Sequence, residues 1–537
     1  MSTNQYSVAE ANSPKYGHDD LDVKEHPVTT QHVDVHGKEA FEAAPVGQRI
    51  LRDTNGGWIA VCSADIPGNV IEFDAAIERK LVRKIDLCVV PTVALLYLFC
   101  FIDRANIGNA RLAGFERDLK LHGYQYNLLL TMFYISYIVF EIPSNILCKY
   151  FGPAKWLPFI SFGFGLMSLC TAFVTNFGNG AAVRFLLGVF EAGVLPGIAY
   201  YLSRWYRKSE LSFRLALYLF TAPCAGAFGG LLASGILKID SIGKVHSWQN
   251  IFLIEGIITC GIALLAFFTM PDDPATTRFL TPYERELAMA RIRAENVGTT
   301  KVVDKLDRKK LVRGIVNPNT LAVSWMFLFV NITVQGIAFF TPTIIATIYP
   351  RASTIRKQLY TVPPYVVGAV INLLVPLISV KTNKRLPLFI GSACLCIIGY
   401  IIFLATTNPH ARYGAVFLAV SGAFPFGPLC NGQVAVNILS DTGRSTGIGW
   451  NVMIGNIGGL ISTWSYLPTD SPNFHIGNGL NLAGNSTILI TSICLLLWLK
   501  WDNRRRDRED NTGQLEGLTA EEIEDLDWKH PSWRWYL

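Results

Sequence analysis

Two stretches put ionisable side chains into runs that are otherwise apolar. In FCFIDRANIGNA, residues 99–110, Asp103 and Arg104 interrupt the end of LCVVPTVALLYLFCFI. In RFLLGVFEAGVLPG, Arg184 and Glu191 stand seven positions apart. Such groups are costly inside a membrane helix and tend to mark ion or substrate pathways. At ~100° per residue, Arg184 and Glu191 share one helix face about 10 Å apart along the axis, which suits two stations on one path. Asp103 and Arg104, being adjacent, point ~100° apart and cannot meet the same partner. One arrangement turns Arg104 to a central cavity and Asp103 towards the fourth helix and Arg184; the sequence leaves open which neighbour each one meets.

The chemistry these types allow is proton-linked anion handling. A carboxyl in a poorly solvated cavity holds its proton more tightly, and a nearby guanidinium opposes this. An acid whose arginine partner leaves during a conformational cycle therefore binds and releases a proton. Arginine stays charged and grips a carboxylate bidentately. Asp103 and Glu191 are accordingly expected to couple protons, and Arg104 and Arg184 to bind or gate substrate. A purely structural pairing of these charges within the bundle is the competing reading.

The other membrane acids read more plainly. Glu141 in YIVFEIPSN is expected in a structural ion pair, and Glu255 in WQNIFLIEG is expected to brace the start of the sixth span. The second half offers neutral groups instead, including Asn437 and Asn451. Asn331, Gln335, Asn431 and Asn456 are its candidates for substrate binding or gating. Tyr134 and Tyr137 share a face of the second helix, and Tyr137 is a candidate lining residue.

The elements that must hold these residues follow from composition. The chain has 537 residues, of which 50% are hydrophobic and only 16% charged, against about 25% charged in soluble proteins. Its mean hydropathy is +0.31. Runs of roughly 20 apolar residues can cross a bilayer, and twelve are present. Six lie near 85–104, 125–147, 156–175, 182–203, 213–237 and 249–270. The other six lie near 320–345, 361–380, 386–406, 412–436, 447–467 and 485–501. The expected fold is all-α and integral to the membrane, with two six-helix halves at 85–270 and 320–501. A polar amino-terminal tail covers 1–84, a central loop 271–319 and a carboxyl-terminal tail 502–537.

The net charge of +6 does not suggest nucleic acid, because the basic residues sit between spans. The central loop alone carries ten Lys or Arg, and the positive-inside bias puts both termini in the cytoplasm. Within that loop, Thr281, Pro282 and Glu284 form a helix start with a capping box, and ERELAMARIRAEN reads as a charged surface helix. The leader shows no cleavable signal and reads as loosely folded. Eleven scattered cysteines lack metal-ligand spacing and read as small apolar core residues. Asn485-Ser486-Thr487 is a glycosylation sequon at the predicted outer start of the last span. RRRDR at 504–508 reads as a cytoplasmic anchor.

FIDRANIGNA, FEIPSN, RFLLGVFEAGVLPG, WQNIFLIEG and YTVPPYV together resemble the fungal branch of the anion:cation symporter family, within the major facilitator superfamily. Allantoate, nicotinate, pantothenate and biotin permeases are among its members. The resemblance covers about 85–500 and implies a major facilitator fold whose halves rock about a central site. It also implies proton coupling and substrate engagement at Asp103, Arg104, Arg184 and Glu191, with Tyr137 matching a site-lining tyrosine. Two departures stand out. NILCKYFGPAK has Lys149 where the wider superfamily places an aspartate, and Pro223 is followed by Cys224 rather than by the glycine pattern of drug antiporters.

The expected function is proton-coupled uptake of a small organic anion, such as a vitamin or nitrogen-source carboxylate, by a monomeric multi-pass carrier of the plasma membrane. Export of a small acidic metabolite is the alternative. A transporter-like receptor would be expected to carry a longer tail. No enzyme activity, cofactor or metal is expected, since nine histidines are dispersed and no nucleophile, metal cluster or phosphate loop is visible.

Overall fold

A computed structural model describes residues 75–239, 245, 247–295, 308–382, 384–438, 441–508, 527–531 and 533–537, with five short strands ahead of them. The expectation for the 1–84 leader falls largely outside the described residues. Those strands are Thr29–Val33 paired antiparallel with Glu39–Ala43, and Leu51–Arg52, Trp58–Val61 and Val70–Ile71 in a second sheet. They belong to a unit, Met1–Ala75, distinct from the unit Ala76–Leu537.

The second unit is a helical bundle. Its first six long segments are α1 (Ile77–Leu112), α2 (Gln125–Phe151), α3 (Pro153–Thr171), α4 (Phe177–Ser203), α5 (Leu217–Ile236) and α6 (Trp248–Thr269). The remaining six are α7 (Pro318–Ile348), α8 (Thr354–Ser379), α9 (Leu386–Ala405), α10 (Pro409–Val436), α11 (Asp441–Ser462) and α12 (His475–Arg508). Among the described residues, ten of these are long and apolar enough to cross a membrane. The other two, α3 and α11, are helical where spans are expected but more polar. Lys155 lies in the first turn of α3, and α11 opens DTGRSTGIGWN.

Local chemistry sets many boundaries. Asn317 and Asn408 cap α7 and α10 through their side-chain oxygens, each followed by proline at the first helical position. Asn176 caps α4 the same way. Gly152, at φ 85°, makes the turn between α2 and α3 in a conformation that favours glycine. Ala192 and Gly193 interrupt α4 directly after Glu191.

Within the first half α3 packs on α6 and α2 on α4; within the second, α7 packs on α11 and α9 on both α10 and α12. The halves meet along α2–α11 and α5–α8. At Gly226 an added Cβ would stand 2.5 Å from the Tyr365 ring, so the α5–α8 approach requires a small residue there. At Gly235, further along α5, an added Cβ would face open space. Hydrogen bonds between the halves gather at the end opposite the bundle's chain termini, here called the far end. Asn127 Nδ2 donates to the Thr463 carbonyl (2.5 Å), Trp464 Nε1 donates to Thr131 Oγ1 (3.1 Å), and Gln358 Nε2 donates to the Asn109 carbonyl (3.3 Å).

At the terminus-bearing end, the capping box expected at Thr281 forms. Its backbone N–H donates to Glu284 Oε2 (2.8 Å), and the Glu284 N–H donates to Thr281 Oγ1 (3.3 Å). The helix it starts, Pro282–Glu295, is docked rather than a free surface helix. Arg291, its side chain 2% exposed, donates to Glu78 (2.7 Å) at the start of α1 and to Glu210 (2.6 Å) before α5. Lys84 of α1 pairs with Glu284 at 2.7 Å. Burial pushes the Glu284 carboxyl up, but Lys84 and the Thr281 donors outweigh it and hold the group below the ordinary glutamate value.

The carboxyl-terminal segment also docks. Trp535 is buried among Trp498, Trp528 and Trp533, and its Nε1 donates to Asp502 Oδ2 (2.7 Å). The Tyr536 N–H donates to Asn437 Oδ1 (3.0 Å), and Gln433 Nε2 donates to the Tyr536 carbonyl (2.9 Å). RRRDR is therefore more than an anchor: Arg506 pairs with Asp502 (2.7 Å) and donates to the His530 carbonyl (3.1 Å).

Candidate functional site

Arg104 and Glu191 form the centre of the first half. Arg104 Nε donates to Glu191 Oε1 at 2.8 Å, and Arg104 Nη2 donates to the same oxygen. Cys100, one turn before Arg104, donates its thiol to that oxygen as well (3.1 Å), so it is a polar contact rather than only a small core residue. Glu191 Oε2 is buried without a hydrogen-bond partner. The guanidinium carbon lies 5.7 Å from the Phe101 ring, 5.4 Å from Phe133 and 5.2 Å from Tyr137, an aromatic collar that excludes water from the pair.

Asp103 takes the other direction, as adjacency on a helix requires. Asp103 makes no direct bond to Arg184, although the two charges act on each other. Asp103 Oδ1 accepts from Ser168 Oγ of α3 (2.8 Å) and Oδ2 accepts from Thr259 Oγ1 of α6 (3.5 Å). It is Arg104 that reaches α4. The physical reason is the rotation of α1: the face carrying Cys100 and Arg104 points at α4, and the face carrying Asp103 points between α3 and α6.

Arg184 lies closer to the far end, 3% exposed, over Phe252 of α6 at 5.5 Å. Its Nε and Nη2 have no hydrogen-bond partner. A buried guanidinium with free donors is expensive unless an anion joins it. The structure thus bonds two of the four expected residues, Arg104 to Glu191, while Asp103 and Arg184 act on Glu191 and on each other through their charges alone.

Two readings of the remaining acids are corrected. Glu141 makes no structural ion pair; its Oε2 accepts from Asn456 Nδ2 (2.8 Å), a neutral amide on the other half. Glu255 is fully buried with neither oxygen hydrogen-bonded, so it does not brace α6 through a side-chain hydrogen bond.

The second-half residues fall on different elements. Gln335 of α7 is buried with Oε1 unpartnered. Asn331 of α7 is half-buried and donates to the Phe327 carbonyl (3.0 Å). Asn431 of α10 accepts from Asn451 of α11 (3.0 Å), joining those helices. Asn485 contradicts its reading as a glycosylation site: it is 1% exposed and donates to Thr333 Oγ1 (3.0 Å). The cause is the helix start, since α12 begins at His475, ten positions earlier than that residue, and carries Asn485 inside the bundle.

Sequence reasoning did not find Ser168, Thr259 or the Glu141–Asn456 bond. The Cys100–Arg104 spacing of four was a usable signal, because residues so spaced share a helix face.

Comparison with known proteins agrees with this architecture. Residues 93–463 match the family model of the Major Facilitator Superfamily. The chain is 34% identical to an uncharacterized transporter of Schizosaccharomyces pombe, over 88% of this chain and 93% of that protein. It is 33% identical to the MFS transporter prlL of a fungal species, over 90% of this chain and 97% of that one. The major facilitator-type transporter hxnP of Emericella nidulans is 30% identical, over 87% and 95%. Among solved structures, the xylose transporter XylE of E. coli, partially occluded and inward open, superposes with a TM-score of 0.58 at 16% identity, covering 77% of this chain and 97% of that one. A bacterial homolog of the human lysosomal transporter Spinster gives 0.57 at 16% identity, covering 76% and 94%. These two likenesses show the fold, two six-helix halves. The chain belongs to the major facilitator superfamily and is a multi-pass membrane transporter, not an enzyme.

Proposed function

We propose that this transporter carries a small organic carboxylate together with protons, as a member of the anion:cation symporter branch. The observation that carries the reading is Arg104 bonded to one oxygen of Glu191 while the other oxygen stays free. An arriving carboxylate competes for the Arg104 guanidinium, where it is held more specifically than by a lysine. Glu191, losing its cation in a dry, aromatic-lined site, then takes a proton. Substrate and proton thus enter together, and each leaves when the Arg104–Glu191 pair re-forms.

Arg184, with its free donors, is a second anion contact. Asp103, held by hydroxyls rather than by a guanidinium, is the second proton-binding carboxyl. Tyr137 walls the guanidinium, and Asn331, Gln335, Asn431 and Asn456 supply neutral contacts from the second half. The basic central loop supports cytoplasmic termini, and the assignment is to a monomeric importer in the plasma membrane, with 1–84 as a cytoplasmic tail. The test is uptake into proteoliposomes across a panel of radiolabelled carboxylates. An inward proton gradient should accelerate uptake of the correct anion; uptake indifferent to both pH gradient and potential contradicts symport.

A further inference from the structure

The α2–α11 seam is an antiparallel ladder that begins at the far end and runs inward. Its rungs are Asn127 and Thr131 with Thr463, then the Tyr134 ring against Gly459, then Glu141 with Asn456. Among the hydrogen bonds described between the two halves, the last is the one that uses a carboxyl. Both partners are more than nine-tenths buried: Glu141 is 6% exposed and Asn456 8%. The charged groups near Glu141 are Arg104 of α1 and, bound to it, Glu191 of α4; on its own helix the facing group is Tyr137, and from α11 it is the neutral Asn456.

We propose that Glu141 and Asn456 form a proton-sensitive latch that holds the far end closed. The chemistry lies in the asymmetry of the bond. Asn456 Nδ2 donates to an ionised carboxylate with charge assistance, a stronger interaction than donation to a neutral acid. When Glu141 takes a proton, that assistance is lost and the rung weakens while the neutral rungs nearer the far end are unchanged. The seam must part at every rung for the far end to open, so the bond is made in one conformation and broken in the other. The charge state of Glu141 therefore biases the equilibrium between them. Raising pH favours far-end closure and lowering pH favours opening. Glu141 acts here as a positioning residue, through helix packing, and not as a contact to substrate. The role rests on the proton-coupled reading above for its purpose, but not for its test.

The experiment is a distance measurement without substrate. Spin labels are introduced through an unnatural amino acid at Lys120 and Ile476, exposed far-end positions on the two halves, leaving the native cysteines in place. Wild-type protein in nanodiscs should show the short-distance population growing as pH rises. Glu141→Gln should shift the ratio of open to closed states by about fivefold towards open at high pH and flatten the Glu141-dependent part of the profile. Asn456→Asp should reverse the sign, because two facing carboxylates repel at high pH and share a proton at low pH. Unchanged profiles in Glu141→Gln, or an Asn456→Asp profile with the wild-type sign, overturn the latch. Failure of proton-driven uptake in the wild type, with these distance profiles intact, contradicts the symport reading and leaves the latch standing.

Discussion

Arg104 donates Nε and Nη2 to a single oxygen of Glu191, leaving Oε2 of that carboxylate buried and unpartnered. The geometry is not the fork-to-fork pairing that gives an Arg–carboxylate bond its full strength. On the proposed reading, a substrate carboxylate supplies what Glu191 withholds, a pair of parallel acceptors for the guanidinium.

Arg104→Lys tests that geometry. Lysine keeps the charge but offers a compact ammonium without the planar fork, and it changes the cation–π contacts with Phe133 and Tyr137. Transport of the carboxylate should fall by at least about tenfold, with the larger loss in apparent affinity. Normal uptake by this variant contradicts bidentate recognition at Arg104.

Glu191→Gln separates exchange from net movement. Glutamine can still accept from Arg104 but cannot bind and release a proton in the cycle. Counterflow of labelled for unlabelled substrate should be retained better than proton-driven net uptake. Equal loss of both activities assigns Glu191 to structure alone.

Trp535→Ala tests the docked carboxyl-terminal segment. Trp535 is 3% exposed, packs against three other tryptophans in tilted and edge-on contacts and donates to Asp502. Its removal should destabilise the terminus-bearing end of the second half by about 3–5 kcal/mol, the usual cost for a buried tryptophan. Thermal unfolding in detergent and protease release of the segment both measure this.

Glu284 gives the central helix a defined pH response. Its carboxyl is pushed up by burial but held below the ordinary value overall by Lys84 and Thr281. A depressed folded-state value means the contribution is fully present above the unfolded value and lost as pH falls through the folded one. Protease resistance of the connection around Pro282–Glu295 should thus be constant near neutrality and drop only in the acid range below the normal glutamate titration. Glu284→Gln should remove that acid-range drop.

Local rules were legible in the chain. The capping box at Thr281 needs only residues three apart, and it formed as spaced. That Asp103 and Arg104 must meet different neighbours followed from helical geometry alone, and they do. Which neighbours they meet depends on how α1 is rotated against α3, α4 and α6, a tertiary property that no short-range pattern encodes. The same holds for Trp535, whose partner Asp502 lies 33 positions away, and for Tyr536, whose partner Asn437 lies 99 away. Asn485 failed as a surface residue because HIGNGLNLAG, too polar to read as a span, extends α12 towards the far end. The place of Glu141 near the end of its helix suggests an ion pair, but its partner is an amide contributed by the opposite half, which no local pattern encodes.

The claim at the centre is that substrate carboxylate displaces Glu191 from Arg104 and that Glu191 then binds a proton. Purified transporter in weakly buffered detergent solution, mixed with the transported anion in the presence of a pH indicator, reads this directly. About one proton should be taken up per carboxylate bound by the wild type, and that uptake should vanish in Glu191→Gln while binding persists. Binding without proton uptake by the wild type, or equal uptake by both proteins, contradicts the account.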